Sequence, residues 1–239
     1  MGTPQRGVLS PPLFNVLMSV IAKSHTRGAE LIIYADDIAV KTKNAATTHK
    51  VLSNITKLCN SVGLIISTDK TKIIPGKGCA NETYRMQGHE IEKVNQYKYM
   101  GVIITKSRRY DPEVARVKGL CTSKLNILKK LVLGTFGSTV GMLKRAYISL
   151  VRSIIDYRAS YFTGLTKKQF QDLEVLQNKA LRIILGTPLC CNVEMMRLET
   201  CLPSIQKRIR EVAAGQIFRT ISDPYTLRAR IFPQRRDNL

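Results

Sequence analysis

Leu31-Ile32-Ile33-Tyr34-Ala35-Asp36-Asp37-Ile38-Ala39-Val40 sets two adjacent carboxylates inside an otherwise apolar run. Glu30 to Ala35 and Ile38 to Lys41 are short β-rich stretches, so the acidic pair falls at the turn of a tight hairpin, with both carboxylates at one end of a sheet. Two like charges in water-poor surroundings need a partner, and a divalent cation is the most direct one. Aspartate is also a favoured turn residue, so a plain polar hairpin turn accounts for the same ten residues. The rest of the chain has to decide between the two.

The chain has 239 residues, 44% of them hydrophobic, enough for one large core or two smaller ones. Its formal net charge of +21 and pI near 10 exceed what solubility requires and point to a polyanionic partner, nucleic acid first. Residues 1–108 carry 15 Lys+Arg against 7 Asp+Glu, a net +8, and residues 109–239 carry 23 against 10, a net +13. Excess charge in both parts suggests a long binding surface rather than a basic tail. The six cysteines include no Cys-x-x-Cys pair and the three histidines are scattered, so neither a zinc site nor a disulfide framework is indicated, and a reducing compartment fits. The apolar run Leu13 to Ala22 contains Asn15 and Ser19 and is too short to span a bilayer. These features predict a soluble intracellular protein of nucleus and cytoplasm, with no membrane partner.

In chain order, Gly2 to Gly7 is a loop, and Ser10-Pro11 opens a helix to about Ser24 with Leu13, Phe14, Leu17, Met18 and Ile21 on one face. After the acidic hairpin, Ala45 to Val62 is an amphipathic helix ended by Gly63. Strands are expected at Leu64–Ser67, Ile73–Ile74, Tyr84–Gln87, Glu90–Val94 and Tyr97–Thr105. They do not alternate regularly with helices, which predicts an antiparallel sheet with helices on one face. Beyond Arg108 the period becomes helical: Asp111 to about Leu131, Ser138 to Tyr157, Thr166 to Leu185, Asn192 to Thr200, and Ser204 to Ile221. Leu143, Tyr147, Leu150 and Ile154 form one expected core stripe, and Phe170, Leu173, Leu176-Gln177, Ala180, Leu181 and Ile184 another. Basic residues such as Lys129, Lys144, Arg152, Lys168 and Arg208 lie between the stripes. The fold class is therefore α+β, an antiparallel sheet with helices (1–108) followed by an all-helical bundle (109–239).

With these pieces in order, the sequence resembles the reverse transcriptase of non-LTR (LINE-type) retrotransposons. Gly2-Thr3-Pro4-Gln5-Arg6-Gly7 and the helix after it resemble the Pro-Gln loop that faces template and incoming nucleotide; Tyr34-Ala35-Asp36-Asp37 resembles the Tyr-x-Asp-Asp hairpin. Gly63-Leu64 with Lys70-Thr71-Lys72 resembles the following palm motif, Tyr99-Met100-Gly101-Val102 the primer grip, and Arg152-Ser153-Ile154-Ile155-Asp156-Tyr157 part of the thumb and connecting region. Four motifs in sequence order are far more specific than any one of them.

The resemblance implies a partial polymerase palm over 1–108 and a helical thumb and connection over 109–239. It implies RNA-directed DNA polymerase activity on an RNA template, a DNA primer and dNTPs, with Mg²⁺, or Mn²⁺ in its place, held by Asp36 and Asp37. Lys70 would neutralise or protonate the departing pyrophosphate, Pro4, Gln5, Arg6, Gly7 and Tyr34 would contact template and nucleotide, and Tyr99, Met100 and Gly101 would hold the primer. Three departures stand out. Arg6 occupies a usual glycine position, and Pro12 a usual leucine in a helical first turn, where proline is tolerated. The family's first palm aspartate and its fingers lie upstream of the Pro-Gln loop, where this chain begins. The expectation is an incomplete polymerase, weak or inactive alone, or else a catalytically dead nucleic-acid-binding remnant.

Overall fold

The computed structural model describes residues 7–22, 26–76, 78–133 and 138–222. They fall into two compact units, Met1–Tyr99 with Ile104–Arg108, and Met100–Ile103 with Arg109–Leu239.

In the first unit, helix α1 (Ser10–Ala22) buries Met18 and Ile21, and helix α2 (Ala45–Ser61) buries Val51, Leu52, Ile55 and Cys59. Asn44 caps α2 by accepting from the Thr47 amide at 2.8 Å, and Gly63 follows its C-cap with φ +72. Between the helices run strands β1 (Ala29–Tyr34) and β2 (Asp37–Thr42), antiparallel, with Ile33 opposite Ile38 and Tyr34 opposite Asp37. Leu31, Ile33 and Ile38 pack with Met18, Ile21, Val51, Ile55 and Cys59 in one core. Each such side chain removed from water contributes about 1.5–3 kcal/mol, which holds the hairpin on the helices.

The rest of this unit corrects the expected sheet. Strands β3 (Lys72–Ile73) and β6 (Glu92–Lys93) pair in parallel, β4 (Arg85–Met86) and β5 (His89–Glu90) pair antiparallel, and β7 (Gln96–Tyr99) pairs with β8 (Val102–Thr105). The described strands therefore form separate two-stranded ladders rather than a single antiparallel sheet. Leu64–Ser67 is not a strand: Leu64 and Ile66 turn inward and Ile65 is 93% exposed, but among the described residues no segment pairs with the stretch in a ladder. Tyr84, Met86 and Ile91 close a small core with Leu52.

The second unit is helical apart from its share of β8: α3 (Asp111–Leu133), α4 (Val140–Tyr147), α5 (Ser153–Asp156), α6 (Lys167–Leu185), α7 (Val193–Thr200) and α8 (Ile205–Ser222). Thr166 and Gln169 form a reciprocal capping box at the start of α6, and Gly186 ends it in the left-handed region. Its expected stripe from Phe170 to Ile184 is buried. The stripe expected at Leu150 and Ile154 is not the most buried one. Residues Ile148–Arg152 form a π-helical turn between α4 and α5, and the extra residue carries the buried row to Leu143, Tyr147, Val151, Ile155 and Ala159. Two buried polar side chains here are paired with each other and with the backbone: Tyr147 Oη donates to Gln177 Oε1 at 2.9 Å, and Gln177 Nε2 donates to the Pro203 carbonyl at 2.9 Å. Among the described residues no helix is long and apolar enough to cross a membrane.

Candidate active site

The acidic pair occupies the tip of the β1–β2 hairpin. Because Tyr34 and Asp37 are the closing pair of the ladder, only Ala35 and Asp36 make the turn. Ala35 has φ +51, the positive value that primed two-residue turns require of their first loop residue. Asp36 thus stands in the loop itself and Asp37 begins β2, one residue further into the ladder than a turn spanning both aspartates would place it. Both are exposed, as is Tyr34, whose ring shares a ladder face with Asp37. On the same face Glu30 and Lys41 pair at 3.3 Å.

Tyr99, at the end of β7, belongs to this neighbourhood. Its hydroxyl is buried without a hydrogen-bond partner among the described residues, and burial, with the charge of Asp37, raises its pKa above the ordinary tyrosine value. A cleft of about 740 Å³ runs alongside β2 in the first unit, walled by Ile38, Val40, Tyr84, Tyr97 and Tyr99 and edged by Lys41, Lys72, Lys106 and Arg108. Lys70 is exposed in the turn Thr68–Lys70, and Tyr97 Oη donates to its carbonyl at 3.2 Å, tying that turn to β7. Gly7 is exposed just before α1, whereas Pro4, Gln5 and Arg6 lie outside the described residues.

Met100 and Gly101 are held differently. They form the two-residue turn between β7 and β8, with φ +47 and +74, the pattern of a type I′ hairpin. Met100 has a Cβ, so its left-handed backbone costs about 1–2 kcal/mol and needs support. That support is a set of side chains absent from the expected site. Tyr157 Oη donates to the Met100 carbonyl at 2.8 Å, Arg158 Nη2 to the Gly101 carbonyl at 3.0 Å, and Tyr161 Oη to the Ile103 carbonyl at 3.0 Å. The Gly101 carbonyl also accepts from Arg116. Glu113, fully buried in the first turn of α3, accepts from the Ile103 amide at 2.9 Å, from Arg116 Nε at 3.0 Å and from Arg158 Nε at 2.5 Å. Burial alone would raise the Glu113 pKa, but the bonds from Arg116, Arg158 and the Ile103 amide outweigh it and hold the carboxyl below its ordinary value. Only the i,i+3 spacing of Glu113 and Arg116 is readable locally; Arg158 lies 45 residues away.

Chemically, the hairpin tip offers hard carboxylate oxygens open to water, the donor type that Mg²⁺ or Mn²⁺ takes together with waters and phosphate oxygens. Among the described residues no group of three or more His, Cys, Asp or Glu side chains converges. The donors therefore suit such an ion as a partial set, to be completed by further oxygens.

Residues 1–104 match the reverse transcriptase (RNA-dependent DNA polymerase) family. The chain is 24% identical over 246 residues to the RNA-directed DNA polymerase from mobile element jockey of Drosophila funebris, covering 96% of this chain and 27% of the relative. It is 22% identical over 224 residues to the probable RNA-directed DNA polymerase from transposon BS of Drosophila melanogaster, covering 87% and 25%. A putative 115 kDa protein in the type-1 retrotransposable element R1DM of the same fly is 21% identical over 166 residues, covering 66% and 16%. The chain spans about a quarter or less of the length of these relatives. No solved structure matches it.

Proposed function

We propose that this chain, whose first 104 residues match the reverse transcriptase family, is the palm and thumb segment of a non-LTR retrotransposon polymerase that extends a DNA primer on an RNA template. The observation that carries this reading is the β1–β2 hairpin, which presents Asp36 in its loop and Asp37 on the closing rung beside Tyr34.

Asp36 and Asp37 are the residues to hold divalent cations, Asp36 foremost because it stands alone in the loop. When bound, a pair of such ions activates the primer 3′-oxygen and stabilises the leaving pyrophosphate. Lys70, exposed in its turn, would neutralise or protonate the departing pyrophosphate. Pro4 to Gly7 and Tyr34 would contact template and incoming nucleotide, and Tyr99, Met100 and Gly101 the primer backbone. The +21 charge supplies sequence-independent attraction for phosphates. Because two carboxylates make only part of a two-ion site, the 239-residue polypeptide by itself binds primer–template but extends it weakly or not at all.

The test is primer extension by the purified chain and its Asp36→Ala variant, with Mg²⁺ or Mn²⁺, beside a binding assay on the same primer–template. Binding without extension is expected. Robust Mg²⁺-dependent extension that Asp36→Ala abolishes would uphold the polymerase reading and overturn the incompleteness. Failure to bind any nucleic acid at moderate salt would overturn the reading as a whole.

A further inference from the structure

A two-residue hairpin tip ordinarily points its carbonyls at water and needs no side chains to hold it. The Met100–Ile103 tip departs from this. The Met100, Gly101 and Ile103 carbonyls and the Ile103 amide all take side-chain partners, and these come from α3 and from the segment between α5 and α6. At the centre is a fully buried glutamate, a group that remains charged in a protein interior only when its oxygens are fully engaged. Glu113 meets that demand with two arginines and one amide. Arg158 in turn is fixed by its own Nη1, which donates to the Ile154 carbonyl at 2.6 Å, so its remaining nitrogens have settled directions.

We propose that Glu113 and Arg158 are positioning residues, which set the conformation of the Met100–Gly101 turn so that it can engage the primer end of a primer–template. The inference rests on the primer-contacting reading given above for that turn. It adds that the strained backbone of Met100 is maintained by the helical unit, through Glu113 acting on Arg158 and on the Ile103 amide, with Tyr157 completing the hold at the Met100 carbonyl. Neither Glu113 nor Arg158 need touch nucleic acid.

The experiment uses the whole chain as wild type, Glu113→Gln and Tyr157→Phe. Gln keeps the size of Glu but cannot satisfy both arginines, and Tyr157→Phe removes one hydroxyl from an exposed ring, so the fold survives in at least the second. Two readouts are taken: hydrogen exchange at the Ile103 amide, and the ratio of affinities for a duplex with a recessed primer 3′ end over a blunt duplex of equal length. Wild type is expected to prefer the recessed end. In Glu113→Gln, Ile103 exchange rises about tenfold and the preference falls to near unity, while affinity for blunt duplex changes less than about twofold, the effect of losing hydrogen bonds to a charged group. Tyr157→Phe moves the preference in the same direction by a smaller factor. Unchanged Ile103 exchange in Glu113→Gln, or raised exchange with the preference intact in both variants, overturns the inference and leaves the polymerase reading standing. A wild type that binds both duplexes equally overturns the primer-contacting reading of the turn, and the inference with it.

Discussion

The hydroxyl of Tyr99 is buried with no hydrogen-bond partner among the described residues, and the nearby charge of Asp37 adds to the burial that raises its pKa. A neutral donor buried in the first unit thus feels the charge of Asp37 without gaining a hydrogen bond from it.

Removing that hydroxyl should not weaken the protein. An unpaired buried hydroxyl is a desolvation cost, so Tyr99→Phe is expected to be neutral or up to about 1 kcal/mol more stable. The midpoint of urea unfolding measures this. A loss above about 1 kcal/mol would mean that the hydroxyl has a partner in solution.

Nucleic-acid binding should depend steeply on salt. With charge of +8 and +13 in the two parts of the chain, we expect at least about six phosphate contacts. At roughly 0.9 counterions released per contact, the slope of log affinity against log salt should be steeper than about −5 on duplex. Anisotropy titrations across a salt series would show it, and a slope near zero would rule out an extended basic surface.

Acid should loosen the helical unit at Glu113. Its folded pKa lies below the ordinary 4.5, so the stability it contributes is fully present above that value and is lost as pH falls through the lower folded pKa. Unfolding followed between pH 6 and 3 should show the decline beginning near pH 4.5, with Glu113→Gln less stable at pH 6 but flatter across the window. Parallel profiles would exclude Glu113 as the titrating group.

The start of α6 should be measurable by itself. Thr166 Oγ1 accepts from the Gln169 amide at 3.3 Å while the Thr166 amide donates to Gln169 Oε1 at 3.0 Å, and Gln169 Nε2 donates to Asp111 Oδ1 at 2.7 Å. Thr166→Ala should cost about 1 kcal/mol, in the range of 0.5–2 for lost caps, read from chemical unfolding. No change would mean that Gln169, through the residue-166 amide and Asp111, holds the helix end without the threonine hydroxyl.

What the sequence discloses is what short-range rules govern. The Tyr34–Asp37 turn is legible because β-rich runs flank residues that favour turns, and α6 because a capping threonine, a regular stripe and a terminal glycine agree. Leu64–Ser67 misleads because strand-forming side chains say nothing of whether a partner strand is present. The stripe through Leu150 and Ile154 misleads because the π-helical turn at Ile148–Arg152 inserts a residue that a period of 3.6 does not anticipate. The Glu113–Arg158 pair is invisible because nothing local to either residue marks a partner 45 positions away.

The path of the chain near Gly101 bears on how this protein can be divided. It leaves the first unit after Tyr99, contributes Met100–Ile103 to the helical unit, returns at Ile104 and departs for good at Arg109. A cut at residue 109, where the period becomes helical, would strip Arg158 of the Gly101 carbonyl and Glu113 of the Ile103 amide and leave a buried cluster of charges short of two of its partners. The smallest helical piece that could be exchanged intact between related proteins therefore begins ahead of β7, carrying the hairpin with it.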